Sequence, residues 1–435
     1  MASDSALERY FQLKAHRTDV KTEVIAGVTT FMTMAYILIV NPLILKDAGM
    51  DMGAVFTATT ISAIIGTLVM ALWAKLPFAL APGMGLNAFF AYGVVLGMGY
   101  SWQMALTAIL LEGVIFLLLT AFNIREAIVN SIPLSLKKAV SCGIGLFIAF
   151  IGLQNAGIVV DNPATLVGVG SLTDPMPVLA MFGVLFSGFL LAKGMRGALL
   201  VGIVVTTLAG IPLGVTPMPD FSQGFMPPDI SPIMFQFEWD KVFSADMAII
   251  LFTFLFVDMF DTVGTLVGVS TKADMLDENG EVPNCKQALF ADAIATTTGA
   301  CLGTSTVTTY VESAAGVSAG GRTGLTALTV AGLFFVALFL SPLFLMVPGA
   351  ATAPALILVG LFMLSPIQQI DLEDYTESIP AFLTILFMPL TYSIAEGIII
   401  GMLSYIILKV LTGNTKQVSV VSYIVGALCL AKIVM

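Results

Sequence analysis

Two aspartates, Asp258 and Asp261, stand three residues apart inside the apolar run LFTFLFVDMFDTVGTLVGV. A third acidic residue, Glu312, follows in the segment GTSTVTTYVESAAGV. An ionisable group at the depth of a lipid bilayer is costly, so it usually faces an internal cavity and marks the path of a substrate or a proton. The three carboxylates are therefore the first candidates for chemistry in this chain.

The spacing of the two aspartates places them on one face of a helix. Two carboxylates so close repel each other, so one of them is expected to take up a proton or to contact a substrate. We assign this direct role to Asp258. Its companion Asp261 is expected to support the site, for example by hydrogen bonding to nearby backbone.

Glu312 is the second candidate for substrate binding and proton coupling, because a carboxylate can accept two parallel N–H donors from a planar heterocycle. Asn87, in the segment LAPGMGLNAFFAYGV, adds a hydrogen-bond donor and an acceptor. Phe89 lies two residues further on and could stack on a flat ring. A position in the core or against lipid is the alternative for this phenylalanine.

Two further acidic residues lie in apolar segments. Glu112 belongs to an ordinary apolar helix, AILLEGVIFLLL, where a hydrogen bond between packed helices is the expected role. Asp292 precedes the segment of Glu312 and either joins the same polar network or packs apart from it. Neither residue is assigned a direct role.

The composition predicts that these segments lie in a membrane. Hydrophobic residues make up 58% of the 435 positions and charged residues only 11%, against about 25% charged residues in soluble domains. The mean hydropathy of +0.99 agrees. The net charge of −10 says little about partners, because most of the acidic residues lie in loops. The absence of a basic patch argues against nucleic acid as a partner.

Histidine and cysteine usage removes several classes of site. The one histidine, His16, lies in the polar N-terminal segment, which excludes histidine-based metal sites and Ser-His-Asp triads within the membrane. The four scattered cysteines form no CxxC pair, so they indicate neither a disulfide framework nor a zinc site. We expect no metal and no cofactor, and an enzyme is not indicated.

The hydrophobic pattern predicts an all-α polytopic membrane protein, because a membrane helix needs roughly 20 mostly apolar residues. Seven segments precede a polar, proline-rich loop at 214–241, and seven follow it. The stretch 417–434 is either a further span or an element lying on the membrane. The fourteen candidates are 24–45, 53–74, 79–97, 101–122, 138–156, 176–192, 197–213, 243–270, 286–303, 304–318, 323–346, 351–366, 378–393 and 395–412.

The basic residues predict the orientation. With residues 1–23 as a cytoplasmic tail, fifteen of the eighteen Lys and Arg residues fall on the cytoplasmic side, as the positive-inside rule requires. The tail lacks the apolar core of a signal peptide. We therefore expect a multi-pass protein of the cell inner (plasma) membrane, with the loop 214–241 outside.

An odd number of segments in each half indicates two inverted repeats, at 24–213 and 243–412, followed by an apolar tail at 413–435. The third segment of each half, near 80–94 and 303–317, is a poor membrane helix rich in Gly or in Thr and Ser. Each is expected to enter as extended backbone and to continue as a half-helix, and such a pair points to a transporter's binding site. The alternative is that these small residues serve only close helix packing.

Four motifs carry a resemblance to a known family. They are GVTTFMTMAYILIVNP near the start, APGMGLNAFFAYG, FVDMFDTVGTLVGV and GTSTVTTYVESAAGVSAGGRTGLTAL. They resemble the azaguanine-like purine permease branch of the nucleobase–ascorbate transporter superfamily, and the similarity runs almost end to end. The resemblance implies fourteen segments, with segments 3 and 10 interrupted. A core domain would comprise 24–122 plus 243–346, and a gate domain 138–213 plus 351–412.

Family members of this kind import hypoxanthine, guanine or adenine with protons, by an elevator-like movement of core against gate. The resemblance maps the family's acid of segment 8 onto Asp258 and its companion onto Asp261. The glutamate of segment 10 maps onto Glu312 and the asparagine of segment 3 onto Asn87. It also implies a homodimer, and the motif around Asp258 favours hypoxanthine and guanine over adenine.

Two other functions compete with a proton-coupled purine importer. An anion carrier on the same fold would need a cation near the half-helix ends and usually has a soluble C-terminal domain. In this chain the last 23 residues are largely apolar. An intramembrane aspartyl protease would need its two aspartates on separate helices and a GxGD motif. Here both aspartates share one helix, so this function is disfavoured.

Overall fold

The computed structural model describes residues 6–122, 133–219, 225–272, 275–276 and 282–434. Residues 1–5 of the predicted tail, 123–132 between two predicted segments and 220–224 of the predicted loop lie outside them. The described chain is mostly helical, with two pairs of short strands.

Among the described residues, the first half contains nine α-helices. They are α1 (Ala6–Phe11), α2 (Val20–Met34), α3 (Ile37–Asp47), α4 (Met52–Val69), α5 (Met84–Ala88), α6 (Trp102–Ala121), α7 (Leu134–Asn155), α8 (Pro175–Ala192) and α9 (Ala198–Gly210). Two π-helical turns, Met70–Ala74 and Phe89–Gly97, extend α4 and α5.

The second half contains nine more. They are α10 (Ala245–Lys272), α11 (Cys285–Leu302), α12 (Ser313–Ser318), α13 (Gly324–Leu338), α14 (Ser341–Leu345), α15 (Gly349–Met363), α16 (Tyr375–Leu390), α17 (Ile394–Leu411) and α18 (Val420–Val434). The stretch 417–434 is thus largely helical, and α18 packs along α17.

Many of these helices are fit for a lipid environment. Among the described residues, seven are long and apolar enough to cross a membrane, and four shorter apolar helices accompany them. The fold is therefore a helical, polytopic membrane fold, as the composition predicts.

Polar caps explain where several helices begin. Asp19 accepts a 2.9 Å hydrogen bond from the Thr22 amide at the start of α2, and Asp51 accepts one of 2.7 Å from Ala54 at the start of α4. Such caps satisfy amides that have no partner within the helix. The single predicted segment 24–45 is two helices, α2 and α3, which meet at Ala35 and Tyr36.

The strands bring the two halves of the chain together. The strand β1 (Leu80–Pro82) pairs antiparallel with the strand β4 (Val307–Thr309), with Ala81 opposite Thr308. Each strand is followed within a few residues by a short helix, α5 or α12. The expected change from extended backbone to helix is therefore present in both segments. The other pair, β2 (Val159–Asn162) and β3 (Leu166–Val169), forms a hairpin after α7.

The helices pack mainly within two sets. In the first set, α2, α3, α4, α5 with its π-helical extension, α6, α10, α11, α12 and α13 surround the strands β1 and β4. In the second set, α7, α8, α9, α15, α16 and α17 pack on one another. Contacts between the sets are fewer, and one of them is the close approach of α5 to α7. A Cβ atom added at Gly85 would lie only 2.6 Å from Cγ2 of Ile144.

Candidate functional site

The paired strands form the scaffold of the site. The Gly83 amide donates to the Thr306 carbonyl, and the Tyr310 amide donates to the Ala79 carbonyl, both at 2.9 Å, which extends the pairing at both ends. A Cβ atom at Gly83 would lie 2.7 Å from Cγ2 of Thr308. A side chain at Gly83 would therefore require Thr308 to shift, because the two segments run so close together.

A cluster of two tyrosines and two carboxylates lies beside this strand pair. The Tyr36 hydroxyl donates a 2.6 Å hydrogen bond to Oε1 of Glu312, which is the residue just before α12. Asp261 and Tyr310 complete the tyrosine–carboxylate cluster, since both carboxylates interact electrostatically with both tyrosines. The two tyrosines are buried, whereas the two carboxylates are half-buried. The cluster can therefore offer hydrogen-bond acceptors to a small molecule.

Asp258 belongs to a buried polar network next to this cluster. Its side chain is 0% exposed, and its Oδ1 atom is 3.2 Å from the hydroxyl of Thr262. The same hydroxyl is 2.8 Å from Oδ1 of Asp292 and 2.7 Å from the hydroxyl of Thr308 on β4. The two aspartates of α10 therefore lie in different surroundings: Asp258 joins a buried network that reaches the strand, and Asp261 is half-buried in the cluster.

Asn87 is buried on α5, with 0% of its surface exposed. Its Oδ1 atom accepts a hydrogen bond from Ser305, and its Nδ2 atom is 3.5 Å from the Pro82 carbonyl. Ser305 also lies 3.5 Å from Oδ1 of Asn41, a buried residue of α3. Asn87 is therefore tied to both interrupted segments.

Phe89 is 1% exposed, and its ring packs edge-on against Phe254 with the centroids 4.9 Å apart. The structure thus places Phe89 in the core near α10. Its role in stacking on a ligand stays a prediction.

The other acidic residues of the apolar segments contact the strand scaffold. Oε2 of Glu112 accepts a 2.6 Å hydrogen bond from Thr306, next to β4. This is the hydrogen bond between packed segments that the sequence predicts for Glu112. Asp292 belongs to the network of Asp258 through Thr262, so it joins the polar network rather than packing apart.

Sequence reasoning missed Glu23, a buried residue of α2. Its carboxylate accepts hydrogen bonds from the amides of Arg322, Thr323 and Thr326, and from the hydroxyl of Thr326. These groups lie between α12 and the first turn of α13, so Glu23 fixes the chain that follows the Glu312 helix. Its place at the end of the polar tail concealed it in the sequence.

Tyr36 and Tyr310 were also missed. Tyr36 lies in the apolar run MAYILIVNP, where a tyrosine resembles any other core residue. Tyr310 lies two residues before Glu312, so its closeness to a candidate acid was a signal that could have identified it. Among the described residues, no group of His, Cys, Asp and Glu is arranged to hold a metal ion.

Known proteins similar to this chain share its full length. Residues 21–400 match a family model described as the permease family. The adenine permease AdeP of Escherichia coli is 47% identical over 98% of this chain and 96% of its own length. The guanine/hypoxanthine permease PbuG of Bacillus subtilis is 45% identical over 96% of this chain and 97% of its own length.

Among solved structures, the fold resembles the transmembrane domain of the bicarbonate transporter BicA from a cyanobacterium. The TM-score is 0.64, with 15% sequence identity, over 89% of this chain and 97% of that domain. At this identity the likeness concerns the fold alone. The match to the family model and the two permeases carry the assignment: the chain belongs to the permease family within the nucleobase–ascorbate transporter superfamily, and it is a transporter rather than an enzyme.

Proposed function

We propose that this protein is a secondary transporter that imports purine nucleobases together with protons. The observation that carries the proposal is the tyrosine–carboxylate cluster beside the paired strands, in a chain whose relatives are named as permeases for adenine and for guanine and hypoxanthine. Both kinds of relative are nearly equally similar to this chain. The motif around Asp258 favours hypoxanthine and guanine as substrates, and adenine is the alternative.

The cluster suits a planar base with N–H groups on its edge. Glu312 is held by Tyr36 at one oxygen, and a carboxylate retains further acceptor positions when one is occupied. An N–H of the base would bind Glu312, and a second N–H would bind Asp261. Such charge-assisted hydrogen bonds are roughly twice as strong as neutral ones.

The geometry favours a division of labour opposite to the one predicted from the sequence. Asp258 is fully buried and shares Thr262 with Asp292 and the strand β4. We propose that it holds the scaffold, and that the half-buried Asp261 contacts the base or carries the proton. Asn87, enclosed by Ser305 and Pro82, would shape the site rather than contact the base in this conformation.

Proton coupling would run through carboxylates. Asp261 interacts electrostatically with both Asp292 and Glu312. Like charges held close together repel each other, and one bound proton relieves that repulsion. A proton and a neutral base would therefore bind the cluster together. The absence of histidine from the apolar segments supports the carboxylates as the proton carriers.

The two helix sets support an elevator-type mechanism. We propose that they form the core (24–122 plus 243–346) and the gate (138–213 plus 351–412), with the cluster in the core. We propose fourteen membrane segments in two inverted repeats. The protein would lie in the inner membrane of the cell, with its N-terminus in the cytoplasm. The core would move against the gate along contacts such as that between Gly85 and Ile144.

An anion carrier remains the second candidate, because the fold resembles that of a bicarbonate transporter. The described residues of the cluster are two carboxylates and two tyrosines with no cation, which disfavours it. The test is uptake of labelled hypoxanthine in cells that lack their own purine permeases, with adenine, guanine, xanthine, uracil and bicarbonate as competitors. Competition by purines alone supports the proposal, whereas competition by bicarbonate alone contradicts it.

A further inference from the structure

A cavity lies between the two helix sets, at the end of α3 that is remote from the cluster. Its volume is about 220 Å³. That is below the roughly 300–1,000 Å³ of pockets that hold drug-sized ligands, so a molecule of one or two small rings is the right class. The residues that line it are Val40, Leu43, Ile44, Lys46, Asp47, Asn155, Gly349, Thr352 and Leu356.

Two helices lead from the cluster to this cavity. On α3, Val40, Ile44 and Asp47 continue the stripe that begins at Tyr36, since residues spaced by three or four share one helix face. Eleven residues separate Tyr36 from Asp47, which is roughly 16 Å at about 1.5 Å per residue. The cavity and the cluster therefore lie on one path along the same helix.

The second helix, α7, makes the opposite wall of this path. Ile144 contacts the first set at Gly85, and Asn155 lies eleven residues further along, at the end of α7 and in the cavity wall. Because its lining residues come from α3 in the first set and from α7 and α15 in the second, the cavity belongs to the cleft between the sets.

An aromatic layer borders the cavity. The hydroxyl of Tyr92 donates a 2.7 Å hydrogen bond to Oδ2 of Asp47. The ring of Tyr92 meets that of Tyr392 edge-on at 5.8 Å, and Tyr392 meets Phe147 at 5.2 Å. Tyr92 belongs to the first set and the other two rings to the second. This contact links the two sets beside the cavity.

The lining matches a neutral, flat, polar ring. Val40 and Ile44 on α3 and Leu356 on α15 supply aliphatic surface from both helix sets. One N–H of the Asn155 amide is engaged by the Tyr92 hydroxyl. Its second N–H and its oxygen complement an edge of the base that carries N–H and C=O or ring nitrogen. Lys46 and Asp47 are exposed at the rim, and their opposite charges leave the cavity without a preference for an ion.

We propose that this cavity is a second, weaker docking site for the transported base, occupied before or after the tyrosine–carboxylate cluster. This proposal rests on the proposed purine transport. It assigns Asn155 the recognition of the edge of the base and Thr352 a supporting contact. A docking site on the path raises the chance that a base molecule that meets the protein is transported. Its effect on the transport rate is therefore largest at low substrate concentration.

Binding of hypoxanthine to purified protein in lipid nanodiscs, followed by saturation-transfer NMR, tests the proposal. The Glu312→Gln variant removes the tighter site and should retain a saturable signal with an affinity at least tenfold weaker than that of the wild type. Adding Asn155→Ala should remove this signal. Adding Asn162→Ala, a matched change in the hairpin after α7 and outside the cavity lining, should not. Melting temperatures confirm that each variant is folded.

A second measurement uses Thr352→Val, which keeps the shape of the side chain and removes its hydroxyl. In an otherwise wild-type chain it should lower kcat/KM for hypoxanthine severalfold and leave kcat unchanged. The proposal is overturned if wild type binds hypoxanthine but Glu312→Gln shows no residual signal, or if that signal survives Asn155→Ala. If the wild type binds no purine, this result contradicts the proposed purine transport and therefore the docking site as well.

Discussion

Tyr36 donates a 2.6 Å hydrogen bond to Glu312 across 276 residues of sequence. This bond joins the junction of α2 and α3 to the start of α12. It thereby fixes the Glu312 carboxylate within the tyrosine–carboxylate cluster. A hydrogen bond to a charged group contributes about 1.5–3 kcal/mol.

Replacing Tyr36 by phenylalanine should therefore weaken substrate binding without unfolding the protein. We expect Tyr36→Phe to raise KM for hypoxanthine about tenfold or more, because each 1.4 kcal/mol corresponds to about a factor of ten. Uptake kinetics in proteoliposomes measure this change. Tyr405→Phe, at a tyrosine of the second helix set, is the control and should leave KM unchanged. An unaltered KM in Tyr36→Phe would contradict the assigned role.

The two aspartates of α10 should respond differently to loss of charge. Asp261→Asn should abolish accumulation of the base against its gradient, because the proton-binding carboxylate is lost. Asp258→Asn should retain part of it, since the amide oxygen can still accept the hydrogen bond from Thr262. Uptake by cells that express each variant at equal level measures this difference. The reverse pattern would restore the assignment made from the sequence.

The strand pair should not tolerate a side chain at Gly83. A methyl group there would lie 2.7 Å from the Thr308 side chain, so Gly83→Ala should separate the strands and reduce transport by at least tenfold. Gly268→Ala in α10 is the matched control, because its Cβ would meet no atom within 4 Å. Alanine favours a helix over glycine by about 1 kcal/mol, so the control should keep full activity. Equal activity of both variants would refute the close approach.

Glu23 should contribute mainly to stability. Glu23→Gln leaves one oxygen to serve four donors, and each buried donor left without an acceptor costs about 1–3 kcal/mol. We expect a clear drop in the melting temperature of the detergent-solubilised protein. The exposed Glu373, changed in the same way, should melt like the wild type. A Glu23→Gln protein as stable as the wild type would show that its hydrogen bonds are replaceable.

Much of this site can be predicted from the sequence, because burying a charge in an apolar segment is costly enough to be conspicuous. Asp258, Asp261, Glu312 and the two interrupted segments were found in this way. The segments pair in the structure as strands followed by helices. Composition was likewise sufficient to identify a polytopic helical membrane protein.

The rest depends on contacts between distant parts of the chain. Which of Asp258 and Asp261 is half-buried depends on the rotation of α10 against β4, and the spacing of the two residues does not determine it. Tyr36 and Glu23 become functional candidates only when α2 and α3 are placed against α12 and α13. Local sequence contains no signal for such pairings.

The central claim is that the cluster couples import of a purine base to protons. The most direct measurement is uptake of labelled hypoxanthine into proteoliposomes with an acidic exterior, with and without a protonophore. We expect accumulation above the external concentration, which collapses when the protonophore is added and is absent in Glu312→Gln. Accumulation that persists with the protonophore, or that requires a sodium gradient instead, would contradict it.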